Sequence, residues 1–218
     1  MSKKKQRVKY QLDTKGIMDL PFEEIKAILR GADDLIATGG RNLLSKILKG
    51  SKDKKLLQYE LDKSPVYGFY KDLKIEDITA RVDWLIKRGY LEVTYYGRLP
   101  VIVYTKMGWE IERDTYSDEL LEKLRSLIPG GDYSFVNDLK DRNRGMILLL
   151  LDKIKNSGEK KFIPLLKAWM DVDYRKVRKE ISKVINHLEK EGGLSDKVIN
   201  FNEYRQRKHP GKQDLDNA

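Results

Sequence analysis

The sequence contains no cysteine and only two histidines, His187 and His209. The first absence excludes disulfides, thiolate zinc sites and cysteine nucleophiles, and suits a reducing, cytosolic compartment. The two histidines have no H-E-x-x-H or other ligand spacing, so neither points to a metal or to acid–base chemistry. No G-x-x-x-x-G-K-[ST] occurs anywhere, which excludes a P-loop for a nucleoside triphosphate. The carboxylate pairs Asp33-Asp34 and Asp171/Asp173 fall at predicted helix edges, where acidic residues cap and complement the dipole. Together these absences predict a chain that is not an enzyme and needs no cofactor or metal. Long apolar runs are missing too. The longest, Met146 to Leu151, is far below the roughly 20 residues that span a bilayer, and the opening MSKKKQRVKYQLD has no apolar signal core. A soluble, cytoplasmic protein with no membrane partner is expected.

What the chain does have is positive charge. Its 44 Lys and Arg against 34 Asp and Glu leave a net charge of +10, which suits a polyanionic partner bound in a salt-sensitive way. At 218 residues it is long enough for one large domain or two small ones.

The lysines are densest near ILKGSKDKKLLQYELDKSPVYG, from Ile47 to Gly68. A helix ending at Lys49 is closed by Gly50, and Ser51 is placed to cap the next helix. Unpaired N–H groups at that helix start, ringed by Lys46, Lys49, Lys52, Lys54 and Lys55, would hold a phosphate. A capped surface helix with solvated lysines is the competing reading. Downstream, Ile75 to Arg88 carries Ile75, Ile78, Val82, Leu85 and Ile86 on one face, and Gly89 stops it. Leu91 to Tyr96 alternates as a strand, Gly97 and Arg98 form a tight turn, and Val101 to Thr105 runs back. Three helices and a hairpin make a winged helix.

This segment resembles the RQC domain, the winged-helix module that follows the zinc-binding region in RecQ-family DNA helicases. The resemblance rests on Ile47, Leu48, Lys49, Gly50 and Ser51 through Val66, Tyr67 and Gly68. It continues through Leu85, Ile86, Gly89, Tyr90 and Leu91, then Thr105, Lys106 and Gly108, and covers roughly 41–112. Lys49 stands where the family has arginine, which keeps the charge without the planar fork. With neither a P-loop nor the zinc cysteines, the chain is similar to a stand-alone RQC-like DNA-binding protein of the kind found in bacteria. The resemblance implies phosphate contacts at Lys49, Ser51, Lys55 and Lys106, with Lys52 and Lys54 as nearby charge. It places the wing tip, with Tyr95, Tyr96 and Arg98, at a duplex end. Tyr96 is then either a wedge on an exposed base or a shield of the hairpin edge. Arg81 and Arg88, flanking Trp84, would face the groove if the third helix reads DNA; Trp84 itself is expected to pack.

The expected organisation is a basic flexible arm over 1–20, an RQC-like winged helix with an N-terminal helical extension over 21–115, a helical domain over 116–191 and a polar tail over 192–218. In the arm, Met1 to Lys15 reads either as disordered or as an extra phosphate-contacting tail. Pro21 to Arg30 forms the extension, ended by Gly31. The later helices are expected at Asp118 to Ile128, Gly145 to Lys155, Lys160 to Met170 and Tyr174 to Glu191, as a HEAT-like repeat or a plain bundle. The fold class is therefore mostly α with a small β wing. Function divides between a non-catalytic binder of duplex ends, forks or branched DNA at the nucleoid, with a helicase or repair protein or more DNA on its helical half, and a sequence-specific regulator whose helical half dimerises. An adaptor using the fold only for protein contacts is the weaker third. Without a phosphate-cradling loop the purified chain is expected to release no phosphate from ATP, with or without DNA; a colorimetric phosphate assay checks this.

Overall fold

A computed structural model describes residues 7–190. The tail from 192, including Phe201, Tyr204 and His209, and the first residues of the arm lie outside them. The described chain is mostly α-helical with one two-stranded antiparallel sheet, and it separates into two compact units, 1–116 and 117–218.

The first unit is a winged helix. It comprises α1 (Phe22–Asp33), α2 (Arg41–Lys49), the single-turn α3 (Lys54–Gln58), α4 (Ile75–Lys87), β1 (Leu91–Tyr96) and β2 (Leu99–Tyr104), and it includes the start of α5 (Lys106–Leu127). One core joins Ile25, Ile28 and Leu29 of α1 with Leu44, Ile47 and Leu48 of α2, Ile78, Val82 and Leu85 of α4, and Leu91 and Ile102 of the ribbon. Helix α1 is therefore part of the winged-helix core. Gly31 does not end it. The helix runs two residues further, and Gly31 faces inward, where a Cβ would stand 3.0 Å from Val66 and 3.1 Å from Leu44, so small size rather than chain termination accounts for it.

Helix α2 ends as its sequence dictates. Gly50 adopts φ +73, its N–H and that of Ser51 returning to Ile47 and Lys46 carbonyls. The chain then loops away and comes back across this same terminus. Gly68 N–H donates to the Ile47 carbonyl at 3.0 Å, a second bond beside that from Gly50, and Tyr70 N–H donates to the Leu48 carbonyl at 2.8 Å, a helix-end acceptor. The two backbones touch at glycines: a Cβ on Gly50 would lie 3.0 Å from the Gly68 Cα. Lys49 Nζ reaches over the crossing to donate to the Lys71 and Leu73 carbonyls, and the Tyr67 hydroxyl donates to the Ser51 carbonyl.

The wing is a two-residue hairpin, Gly97 taking φ +63 at the first turn position, in the register Leu91↔Tyr104, Val93↔Ile102, Tyr95↔Pro100 and Tyr96↔Leu99. Residues 37–39 add a short third edge, Ala37 N–H donating to the Ile102 carbonyl and Ile102 N–H to that of Gly39, each at 2.9 Å.

The second unit is all helical, although its first helix does not start where periodicity places it. Helix α5 begins at Lys106 and runs unbroken to Leu127, because nothing in Glu112–Ser117 stops it; Tyr116 is an ordinary helical residue. Helices α6 (Arg144–Ser157) and α8 (175–190) start within one residue of expectation, and α7 (Ile163–Val172) starts three residues later than expected, Lys160–Phe162 forming a 3-10 turn ahead of it. Their core contains Leu150, Ile154, Phe162, Leu166, Trp169, Ile181 and Leu188. Asp173 closes it: one carboxylate oxygen accepts from Trp169 Nε1 at 2.7 Å and the other from Tyr174 N–H at 2.6 Å, just before α8.

The glycine crossing is testable. Gly50→Ala forces a side chain into the left-handed region, at about 1–2 kcal/mol, and adds the contact with Gly68. The urea midpoint is expected to fall, while Gly130→Ala, with open space around it, is expected to leave it nearly unchanged.

Candidate nucleic-acid interface

The lysine-dense corner differs from the cradle expected of it. Ser51 does not cap the following helix; Asp53 does, its Oδ1 accepting from Lys55 N–H at 3.0 Å, while Ser51 Oγ accepts from Asp53 N–H at 3.2 Å and Ser51 N–H closes α2. The amides of Ser51, Asp53 and Lys55 are thus bonded within the chain. The cap is moreover an anion. Lys46 Nζ bonds Asp53 Oδ2 at 2.7 Å and, with the Lys55 amide, holds the carboxyl below its usual range, so it is charged at neutral pH. In Ser-Lys-Asp-Lys-Lys the stronger signal for a cap directly before Lys54 was Asp53. Lys49 and Ser51 are likewise engaged in the backbone crossing. Lys52, Lys54 and Lys55 remain exposed and form the outward charge of this corner.

Helix α4 has the expected face inward, Trp84 being buried and stacked on Tyr90 at 6.0 Å. Its two groove candidates are occupied within the domain. Arg81 Nε pairs with Glu24 Oε2 at 3.1 Å, the carboxylate that also accepts from Tyr70. Arg88 Nη2 donates to the Met18 carbonyl at 2.8 Å and lies over the Trp84 ring.

Met18 belongs to the arm, and residues 7–20 do not behave as a free tail. They form a strap along α4 and the wing. Asp13 N–H donates to Asp83 Oδ2 at 2.8 Å, a buried carboxylate that is also ion-paired with Arg41. Lys15 Nζ bonds Asp77 Oδ1 at 2.7 Å, which raises the lysine and lowers the aspartate, so both are charged across the neutral range. Farther back, Val8 N–H donates to the Arg98 carbonyl at 3.0 Å and Tyr95 Oη to the Val8 carbonyl at 3.1 Å, with the Arg7 guanidinium over the Tyr95 ring. The sequence signal for this strap was slight: alternating Val8, Tyr10 and Leu12 in a basic stretch, read as polarity.

The wing tip has two distinct faces. Tyr95 points toward the strap, whereas Tyr96 and its cross-strand partner Leu99 face out, 76% and 62% exposed, with Arg98 exposed between them. Lys106 stands clear at the start of α5, its nearest ion partner being Glu110 at 4.0 Å. The structure therefore brings Tyr96, Arg98 and Leu99 together at one tip, and places Lys52, Lys54 and Lys55 together on the α3 corner. Among the described residues no helix is long and apolar enough to cross a membrane.

Residues 22–120 match the family model of the RQC domain. The match starts at α1, well before the 41–112 legible as a resemblance. No curated protein and no solved structure matches the chain. The segment is an RQC-like domain, and RQC domains are DNA-binding winged-helix modules, which supports DNA binding here.

If the α3 corner meets phosphate, Lys54→Glu with Lys55→Glu weakens binding to every DNA tested and lowers the slope of log affinity against log salt by about 1–2. Titration of a labelled blunt duplex at several salt concentrations measures both.

Proposed function

We propose, from an RQC-like winged helix carrying an exposed aromatic wing tip, that this chain is a non-catalytic DNA-binding protein recognising duplex ends, forks or branched DNA in repair, recombination or replication. The observation that carries the proposal is the outer face of the ribbon. Burying a tyrosine and a leucine is normally favourable, yet Tyr96 and Leu99 stand in solvent with a cation between them. A terminal base pair offers the complementary surface, a flat apolar face edged by phosphate, and stacking on an aromatic ring contributes about 1–3 kcal/mol per base.

The strap favours this reading over a sequence-specific regulator. A regulator of this fold inserts its third helix in the major groove. Here the side chains on that helix's flank are bound by Glu24 and by the Met18 carbonyl, and the strap lies along it. Removing it would break the Asp13–Asp83 and Lys15–Asp77 contacts before any base was read. The domain then engages DNA by its wing and by exposed lysines, which carry no base code. The helical unit serves as the seat of a protein partner such as a helicase or repair factor, in the cytoplasm at the nucleoid.

A panel of labelled hairpins, forks and blunt duplexes titrated at two salt concentrations tests the proposal. Wild type is expected to favour forked ends over a closed hairpin duplex irrespective of sequence. Tyr96→Ala is expected to lose most of that preference, by about fivefold or more, with internal duplex affinity nearly intact. A fixed-sequence operator bound in preference to any fork would replace this reading by the regulator.

A further inference from the structure

The inner face of the wing bounds a recess that the sequence gives no reason to expect. Its floor is Val93, Pro100 and Ile102 of the ribbon, and its volume is about 370 Å³. The strap supplies one wall with Lys9, Tyr10 and Gln11; the first turn of α2 supplies the other with Asn42. The strap wall is fixed to the ribbon by the Val8–Arg98 backbone bond and the Tyr95–Val8 bond, and Tyr10 lies 6.4 Å from the Tyr95 ring at an angle of 45°.

The chemistry of the walls is selective. An apolar floor and an aromatic ring accept a flat ring system. The carboxamides of Gln11 and Asn42 each offer donors and an acceptor, the complement of a base edge. The charged residues of the lining are Lys9 and Arg41, and no carboxylate is among them. The neighbouring recess along α4 contrasts with it, since Asp13, Glu76 and Asp83 line that one. The volume lies at the small end of the roughly 300–1,000 Å³ typical of ligand sites, matching one nucleotide and not a base pair.

We infer that this recess receives a single unpaired nucleotide from the DNA end, its base against Tyr10 and the ribbon floor and its phosphate toward Lys9. The inference rests on the fork-binding reading and deepens it. The outer face of the ribbon stacks on the last base pair, and the inner face holds a nucleotide released from it. The wall that makes the site, residues 8–11, precedes the segment that matches the RQC domain, so the recess is a feature of this chain's own arm.

The test uses the full chain and DNA carrying 2-aminopurine at the first unpaired position of either fork arm. The same analogue is placed in a single strand and, fully paired, in a blunt duplex. Binding by wild type is expected to change the emission on one fork arm and on the single strand. Tyr10→Ala is expected to abolish that change. Asn42→Asp, which adds a carboxylate to the lining at a helix start where acid is tolerated, is expected to weaken fork and single-strand binding by about fivefold or more, with blunt-duplex affinity within about twofold. Both residues are exposed, so folding is preserved, which circular dichroism confirms.

Unchanged emission with wild type bound on both arms and on the single strand overturns the inference, as does an Asn42→Asp protein that binds fork and single strand as wild type does. An equal loss on all three DNAs also overturns it, marking a general charge effect. Should fork preference be absent while the single-strand signal and its loss in both variants persist, the end-recognition reading falls and the nucleotide site stands.

Discussion

The close passage of two backbone segments at Gly50 and Gly68 is the constraint on which the rest of the winged helix depends. Helix α2 must end with its carbonyls satisfied, and the only groups that reach them are its own turn and the returning chain at Gly68 and Tyr70. A side chain at Gly50 would press on the Gly68 backbone, loosening the return that brings the Tyr70 N–H to the Leu48 carbonyl. Because the return is pinned there, Leu73 and Lys74 enter α4 at a fixed point, and α4 packs Ile78, Val82 and Leu85 against α2. The Lys49 ammonium completes the joint by bridging to Lys71 and Leu73. The same geometry turns the α3 corner outward, so Lys52, Lys54 and Lys55 are displayed as a consequence of how α2 is closed.

That arrangement gives the most conspicuous sequence pattern a meaning different from the one its composition suggests. Glycine, serine and lysine after a helix read as an anion cradle, since all three favour phosphate. In the structure the serine amide belongs to the helix end and the lysine to a backbone clamp, and the adjacent cap is an aspartate. The outward charge at this corner therefore comes from the exposed side chains of Lys52, Lys54 and Lys55 rather than from a cradle of amides. The ribbon, by contrast, is fixed by its strand pairing and by the bonds of Ile102 to the edge at 37–39.

How far the sequence could reveal this depends on the range of the forces involved. Helix periodicity, the Gly50 and Gly89 stops and the Gly97 turn are local, and α2, α4 and the hairpin are found where those signals put them. Gly31 misled because glycine inside a helix looks like a stop, while its cause, the approach of Val66 and Leu44, lies elsewhere in the chain. Helix α5 starts twelve residues before the expected Asp118, because no residue of Glu112–Ser117 breaks it. The strap was the largest omission. Its hold comes from Asp77, Asp83, Arg88 and Arg98, contacts some 60 to 90 residues apart in sequence that no window contains. At the site, Tyr96 and Arg98 were legible from the hairpin; which tyrosine faces out was decided only by strand register.

Register also binds the two faces of the wing to one another. Successive side chains on a strand alternate, so with Tyr95 paired to Pro100 the outer positions must be Tyr96 and Leu99. Slipping the hairpin by one residue would turn Tyr96 onto the strap and Tyr95 into solvent, losing the bond to Val8 and the Arg7 contact together. The strap thus stabilises the register that exposes Tyr96, because the Tyr95 hydroxyl and the Arg98 carbonyl reach Val8 only in this pairing. An arm that by composition is only a basic tether acts through these bonds on the orientation of the tip. The exposed tip and the recess beneath the ribbon are for that reason two results of a single turn, the two-residue loop at Gly97 and Arg98.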